Sequence, residues 1–380
     1  MAASSGLFRT KLSKLKFRMK ERDLDIIMLQ NWSNIFYMTG LRTAVMTRPI
    51  NLIVPLNGDP VLIASKLLER TIRNEVRWID DVRFWTEFKE AKDEEVYTPS
   101  DLIKDALNQI GIRAGKIGIE KGYFSVQSFE RLKELLPSGD FSDCSDVLGS
   151  MRMVKYPEEI ALLKRAIAIT DSVFKIAVED LVRRGRTELD VAIDILKCLL
   201  EKGAEGASFF PMVNSGRRST LLSTRPSKKK ICDKEIVLID FGAVYEGYCA
   251  DITRMAAVGD IPESQKELFK KILEIEEKTL RVIAPKKAAC DIYNYAMTEF
   301  DREKLPRSIH RIGHGIGIDY HEGPFLGYWD ETPLENGMVV AVEPGINLTD
   351  FGIRIEDAVL VTKKGCEILS KAPKDLYQTA

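Results

Sequence analysis

Four carboxylates and one imidazole in the second half of the chain have the types and spacing to hold metal ions: Asp240, Asp251, His314, Glu343 and Glu356. Asp240 follows the apolar run 236–239, Tyr245-Glu246-Gly247 supplies a turn, and the chain returns through Asp251, which predicts a β-hairpin. Whether the turn is Tyr245-Glu246 or Glu246-Gly247, the two aspartates keep the same parity. They therefore share a face, directly opposite or one diagonal step apart. A second hairpin is expected from 338–343 and 353–362, joined by 344–352. Its first strand ends on Glu343, and its return strand carries Glu356, with Arg354 two residues earlier on the same face.

Four ionised carboxylates in one pocket repel, and some would hold protons unless cations neutralise them. Two divalent ions balance that charge. Oxygen donors with one imidazole and no thiolate suit Mn²⁺ or Co²⁺ first, with Fe²⁺ or Zn²⁺ next, rather than a structural zinc centre. Any one of these acids alone reads as a strand-end or turn residue; the set read together is a metal site. In this order, the set resembles the signature of the M24 "pita-bread" metallopeptidases. That group includes Xaa-Pro dipeptidases, Xaa-Pro aminopeptidases, methionine aminopeptidases and creatinase, and the resemblance covers nearly the whole chain.

The resemblance implies a fold and an activity. Residues 1–150 would form a creatinase-type α/β N-terminal domain, and residues 151–380 an α+β pita-bread domain with a pseudo-twofold repeat. Asp240 and Glu356 would bridge two metals, Asp251 completing one and His314 with Glu343 the other. The ions would lower the pKa of water and polarise a carbonyl, so the reaction is hydrolysis of a small C–N bond, as in Xaa-Pro peptides. Glu343 would also act as general base and proton carrier. His321, in His321-Glu322-Gly323-Pro324, matches the family histidine that steadies the tetrahedral intermediate, its plain alternative being a loop histidine. Arg354 would orient a ligand carboxylate, or else form an ordinary strand salt bridge, and Thr253 is a lesser candidate for the same support. The family also implies a homodimer in which the N-terminal domain of one subunit helps wall the active site of the other, with the Arg48 loop as candidate contact.

The elements that must position these residues are legible from pattern. In the first half, 26–29, 51–55, 61–64 and 116–119 read as short apolar strands, and 66–74, 99–109 and 125–136 as helices. The apolar, strand-like stretch 34–40 and Arg48-Pro49 add to the creatinase-type resemblance. Near 151–156 a boundary falls, followed by Pro157-Glu158-Glu159, a proline and acidic first turn that open a helix. Helices are expected again over 187–202, 262–283 and 288–302, so the second half consists of two helix–helix–hairpin units, each supplying two carboxylates.

Composition sets outer bounds. With 380 residues, 45% hydrophobic and 30% charged, the chain can bury ample core and divide into two domains. A net charge of −1 argues against nucleic acid as the main partner. Six scattered cysteines without C-x-x-C, with Cys198 and Cys249 in apolar surroundings, favour a reducing cytosol. No apolar run reaches membrane-spanning length. The first twenty residues hold six basic residues and no acid, a trait of transit peptides, but 7–21 also reads as a first amphipathic helix leading into a strand. Asp240-Phe241-Gly242 spells a kinase magnesium motif, yet no His-Arg-Asp loop exists among three histidines. Gly313-x-Gly315-x-Gly317 lacks the strand–turn–helix context of a dinucleotide site.

One departure bears on substrate. Xaa-Pro enzymes and creatinase usually carry a histidine in the stretch that here reads 214–226, and alignment on the flanking glycine and proline puts Ser223 there. A hydroxyl cannot replace imidazole as acid, base or positive anchor near neutral pH. The alternatives to an Xaa-Pro hydrolase are a creatinase- or ectoine-hydrolase-like enzyme or lyase on a small non-peptide substrate, and a non-catalytic binding protein. Intact metal ligands argue against the last.

Overall fold

The structure is a computed structural model, and it describes residues 5–43, 48–86 and 97–379. It divides into two compact units, 1–152 and 153–380.

The first unit is a six-stranded mixed sheet flanked by helices. Its strands are β1 (Ile26–Leu29), β2 (Asn51–Pro55), β3 (Val61–Ser65), β4 (Asp81–Trp85), β5 (Ala114–Ile119) and β6 (Ser138–Asp143), in the order β4-β3-β2-β1-β5-β6. The helices are α1 (Ser5–Glu21), α2 (Trp32–Thr39), α3 (Glu69–Glu75), α4 (Pro99–Ile110), α5 (Val126–Leu135) and α6 (Ser145–Met153). Helix α1 is part of this fold, because Leu7, Phe8, Leu15 and Met19 are buried and Lys11 Nζ donates to the Tyr37 carbonyl at 3.1 Å. The strand-like stretch 34–40 is corrected to a helix, α2. Asn31 caps it by accepting from the Ser33 and Asn34 amides at 2.8 and 3.2 Å, and Gly40 ends it at φ 76°. Local capping thus overrides an apolar run that also suits a strand. Residues 44–47, before Arg48, lie outside the described residues, and with them most of the loop considered for a subunit contact.

The second unit repeats a pattern of two helices and a hairpin. In chain order it contains α7 (Pro157–Ile176), α8 (Glu188–Glu201), β7 (Gly206–Ala207), β8 (Met212–Ser215), β9 (Glu235–Phe241), β10 (Ala243–Tyr245), β11 (Tyr248–Cys249) and β12 (Ile252–Val258). Then follow α9 (Glu263–Val282), α10 (Ala289–Arg302), β13 (Gly313–Gly315), β14 (Glu322–Phe325), β15 (Val339–Val342), β16 (Gly345–Asn347), β17 (Gly352–Arg354), β18 (Asp357–Thr362), β19 (Gly365–Ile368) and β20 (Tyr377–Thr379). Helices α7 and α9 have 20 residues each and α8 and α10 have 14 each, so the two halves match in length as well as order.

Two sheets, β20-β12-β9-β8 and β14-β13-β15-β18-β19, carry the candidate ligands on their strands or at the strand ends. Strand β9 is buried on both faces, so it reads as a continuous apolar run. Val237, Ile239 and Phe241 pack into the core under α7 and α8. Ile236 and Leu238 pack into the core shared with α9, α10, β15 and β18. Asp240 continues this second face, so alternation delivers a charge to the seam between the two halves. The second hairpin pairs through 345–347 and 352–354, so its connection is shorter than the 344–352 expected.

Candidate metal centre

The first hairpin pairs Asp240 with Thr253 and Tyr245 with Tyr248, one continuous register that leaves Glu246-Gly247 as the turn. Both turn residues have positive φ, 44° and 79°, the backbone a tight two-residue hairpin turn requires. Asp251 therefore lies one diagonal step from Asp240 on the same face. Between them Gly242 has no room for a side chain, since a Cβ would stand 1.6 Å from the Ala250 carbonyl oxygen. In the second hairpin, Val342 pairs with Asp357 and Gly345 with Arg354, which puts Glu343 directly opposite Glu356. His314, on β13, pairs with Ala341, and Ala341 with Ala358. The small residues at 341 and 358 leave space on the face that His314, Glu343 and Glu356 share.

The five side chains meet. Ligand atoms of Asp240, Asp251 and Glu356 lie within 4.8 Å of one another, as do those of Asp251, His314 and His321. His314 Nε2 is 3.7 Å from Asp251, 3.6 Å from Glu343 and 3.8 Å from Glu356. Its Nδ1 is 3.1 Å from the Gly315 carbonyl; a proton assigned there leaves the Nε2 lone pair facing the carboxylates. Asp240 Oδ1, Asp251 Oδ1, Glu356 Oε1 and His314 Nε2 are all buried without a hydrogen-bond partner. Such orphaned acceptors are costly in the interior and are what cations would satisfy, so the residues present fit divalent ions.

Electrostatics agree. Burial, with Glu356, Asp240 and Glu343 nearby, pushes Asp251 well above the usual carboxylate range, and burial with Glu343 and Asp240 does the same to Glu356. Burial raises Asp240 less, because Arg354 opposes it, and raises Glu343 to about 7. Burial pulls His314 well down, and His321 to about 4. The site disfavours its own charges until positive charge arrives.

Arg354 and Thr253 brace the centre. Arg354 is buried, with Nη2 in contact with Asp240 Oδ2, Nε 3.3 Å from Thr253 Oγ1 and 3.8 Å from Glu343 Oε2. Thr253 Oγ1 in turn donates to Glu356 Oε2 at 2.7 Å. Beneath them Arg254, 1% exposed, donates to the Thr253 and Glu356 carbonyls and to Asp357, tying the two hairpins by their backbones. Asp357 also takes Lys374, so the buried guanidinium and carboxylate are both paired. His321 stands at the rim, its ring edge-on to His314 with centroids 4.2 Å apart.

Sequence reasoning missed His310 and Arg254. His310 is the third histidine, with Nε2 buried and unpartnered, and burial with Arg354 nearby pulls it to about 4. The clustering of every histidine in 310–321 was the available signal. Ser223 is exposed, on the loop after the short helical turn 216–220. A buried carboxylate, Glu188, holds both ends of that loop, accepting from Ser215, Arg218 and Ser227.

Comparisons with known proteins follow the same lines. Residues 11–154 match the Creatinase/Prolidase N-terminal domain, and residues 161–363 match Metallopeptidase family M24. An Xaa-Pro dipeptidase of Pyrococcus furiosus is 30% identical over 376 residues, 97% of this chain and 99% of that one. The solved Xaa-Pro dipeptidase from Bacillus anthracis superposes with a TM-score of 0.89 at 28% identity, over 98% of this chain and 100% of that one. An X-Pro aminopeptidase from Thermotoga maritima does so with a TM-score of 0.84 at 29% identity, over 97% and 99%. With two paired hairpins, a converging acid–imidazole set and these matches, the chain belongs to the metallopeptidase family M24, a pita-bread metal-dependent hydrolase with a creatinase-type N-terminal domain.

Proposed function

We propose that this enzyme hydrolyses Xaa-Pro peptides with two divalent ions, Mn²⁺ or Co²⁺ before Fe²⁺ or Zn²⁺, held by Asp240, Asp251, His314, Glu343 and Glu356. The observation that carries the reading is the set of four buried, unpartnered atoms, three carboxylate oxygens from the two hairpins and His314 Nε2 from β13, gathered at one place. When bound, the ions supply Lewis acidity, lowering the pKa of water and polarising a carbonyl. Glu343 takes the proton of the attacking water and passes it to the departing nitrogen. Arg354 keeps Asp240 and Glu343 in place. His321, neutral at pH 7, donates a hydrogen bond to the oxygen on which negative charge develops.

The test is a screen of metal-stripped and reconstituted protein on Xaa-Pro dipeptides, longer Xaa-Pro peptides, creatine and N-acetylated diamino acids. Metal-dependent cleavage of the Xaa-Pro peptides is expected. Turnover of creatine or an acetylated diamino acid with no peptide cleavage overturns the peptide reading, and silence throughout points to a binding role. The small-amide reading rests on Ser223. One missing charge-assisted hydrogen bond is worth roughly 1.5–3 kcal/mol, or about ten- to hundredfold. Ser223→His should therefore raise kcat/KM for an Xaa-Pro dipeptide at equal metal loading. Strong wild-type cleavage that falls in this variant would mean that the serine is no defect.

The reading includes a homodimer, which follows from the family, working in a reducing cytosol, which follows from the scattered cysteines. No helix among the described residues is long and apolar enough to cross a membrane. Sedimentation at micromolar concentration should give a dimer, and a fully active monomer would refute a site shared between subunits.

A further inference from the structure

His321 is exposed at the rim of the centre. Its ring meets those of His314 and Tyr320, with centroids 4.2 and 4.6 Å apart, and takes no hydrogen bond among the described residues. A group that must donate to a developing charge has to be held to within about half an ångström, so something other than the ring's own bonds must hold it.

The next residue supplies the hold. Glu322 Oε1 takes Lys155 Nζ at 2.9 Å, and both side chains are buried, 2% exposed for the lysine and 9% for the carboxylate. Lys155 lies on the connection between α6 and α7, and its own backbone is fixed. Its amide donates to the Gly337 carbonyl at 3.0 Å, and Val154 pairs with Met338 just ahead of β15. In the order β14-β13-β15, the lysine therefore starts beside β15 and ends on β14, passing the end of β13. Glycines leave room for that passage. A Cβ at Gly317 would collide with the Glu322 carboxylate, and one at Gly315 with the Gly323 carbonyl. The Gly315-x-Gly317 spacing, which fails as a dinucleotide motif, serves here to admit an ion pair.

Ion pairs buried this deeply gain little net stability over apolar packing. What this one sets is direction. Neighbouring side chains of extended backbone point to opposite sides, so Glu322 anchored on one side of β14 turns His321 to the other, where His314 stands. We propose that Lys155, acting through Glu322, is the positioning residue for His321. Its effect on turnover rests on the Xaa-Pro reading, whereas its hold on the ring is independent of the substrate.

The experiment uses the full chain as wild type, Lys155→Met, Lys155→Arg, Glu322→Gln, His321→Ala and the double variant Lys155→Met/His321→Ala. With three histidines, carbon-13 labelling of the imidazoles gives three ring signals in Zn²⁺-loaded protein, and His321→Ala assigns one. In Lys155→Met that signal should move toward the position of a free surface histidine while the other two stay. Glu322→Gln has the size of the native residue and reads the same effect if Lys155→Met fails to fold. An unmoved His321 signal overturns the assignment, as does a common shift of all three, which marks general loosening. With Mn²⁺ and an Xaa-Pro dipeptide, Lys155→Met should lose roughly ten- to hundredfold in kcat at equal metal content, with KM within about twofold. Lys155→Arg, which keeps the charge, should recover most of it. In the His321→Ala background the same change should cost no more than about twofold. Equal losses in both backgrounds would mean that Lys155 does not act through His321. If no Xaa-Pro peptide is cleaved, the peptide reading fails and the spectra still decide the positioning.

Discussion

Glu356→Ala should lower turnover by about a thousandfold or more and strip metal from the centre while the protein stays folded. Glu356 Oε1 is one of the orphaned acceptors, and its Oε2 takes a hydrogen bond from Thr253. Losing it removes a ligand from the group with Asp240 and Asp251. Lewis-acid stabilisation of a transition state is worth several kcal/mol, and about 4 kcal/mol corresponds to a thousandfold. The fold should tolerate the change, because the removed group is a buried carboxylate held among others of like charge. Asp240→Ala should abolish activity as fully but with a larger penalty in stability, since it takes away the direct partner of buried Arg354. Metal content after gel filtration, the melting temperature and kcat would be measured on both. A variant with full metal content and wild-type turnover would remove that residue from the centre.

The centre was legible because strand geometry is strict. Side chains alternate with a period of two, so the parity of Asp240 and Asp251 across the turn settles that they share a face before any register is known. The structure selects the diagonal arrangement, and the choice turns on Glu246 and Gly247 both adopting positive φ. Glu343 and Glu356 follow the same logic across the second hairpin. Periodicity also revealed the paired helices, whose apolar faces are long enough to be unambiguous.

What the sequence concealed depends on contacts between segments far apart in the chain. Arg254 is an ordinary strand arginine until β12 is laid beside β18, when its guanidinium meets the Glu356 carbonyl and Asp357, more than a hundred residues away. Strand β6, reading Ser-Gly-Asp-Phe-Ser-Asp, has no apolar alternation to betray it because it sits at a sheet edge and is largely exposed. In α2, eight residues are too few for periodicity to separate a helix from a strand, and the caps at Asn31 and Gly40 decide.

Metal-free protein should lose stability as pH rises through about 7, and metal-loaded protein should not share that loss. The sign follows from the direction of each shift. Asp251 and Glu356 have folded pKa values well above those of the unfolded chain, and Glu343 is raised to about 7. A raised carboxylate favours folding below its unfolded value, and that contribution is lost as pH climbs through the folded value. The histidines act oppositely. His310 and His321, pulled to about 4, and His314, also lowered, fold best neutral, so they add stability as pH rises from about 4 to 6.5. Below pH 6.5 the two sets offset each other. Above pH 6.5 the imidazoles have finished titrating, while Glu343 is still losing its proton through pH 7, which costs up to about 1.4 kcal/mol per pH unit. Glu276, raised to about 8 by burial with Asp357 nearby, although Lys374 opposes the shift, adds a slope of the same sign, but it does so with or without metal. The difference between the two forms therefore isolates the centre, where metal binding requires ionised ligands and gains from rising pH. Urea unfolding of chelator-treated and Mn²⁺-loaded protein at pH 6, 7, 8 and 9 would measure it. Parallel curves for the two forms across that range would mean that the buried acids do not carry the proton load their packing implies.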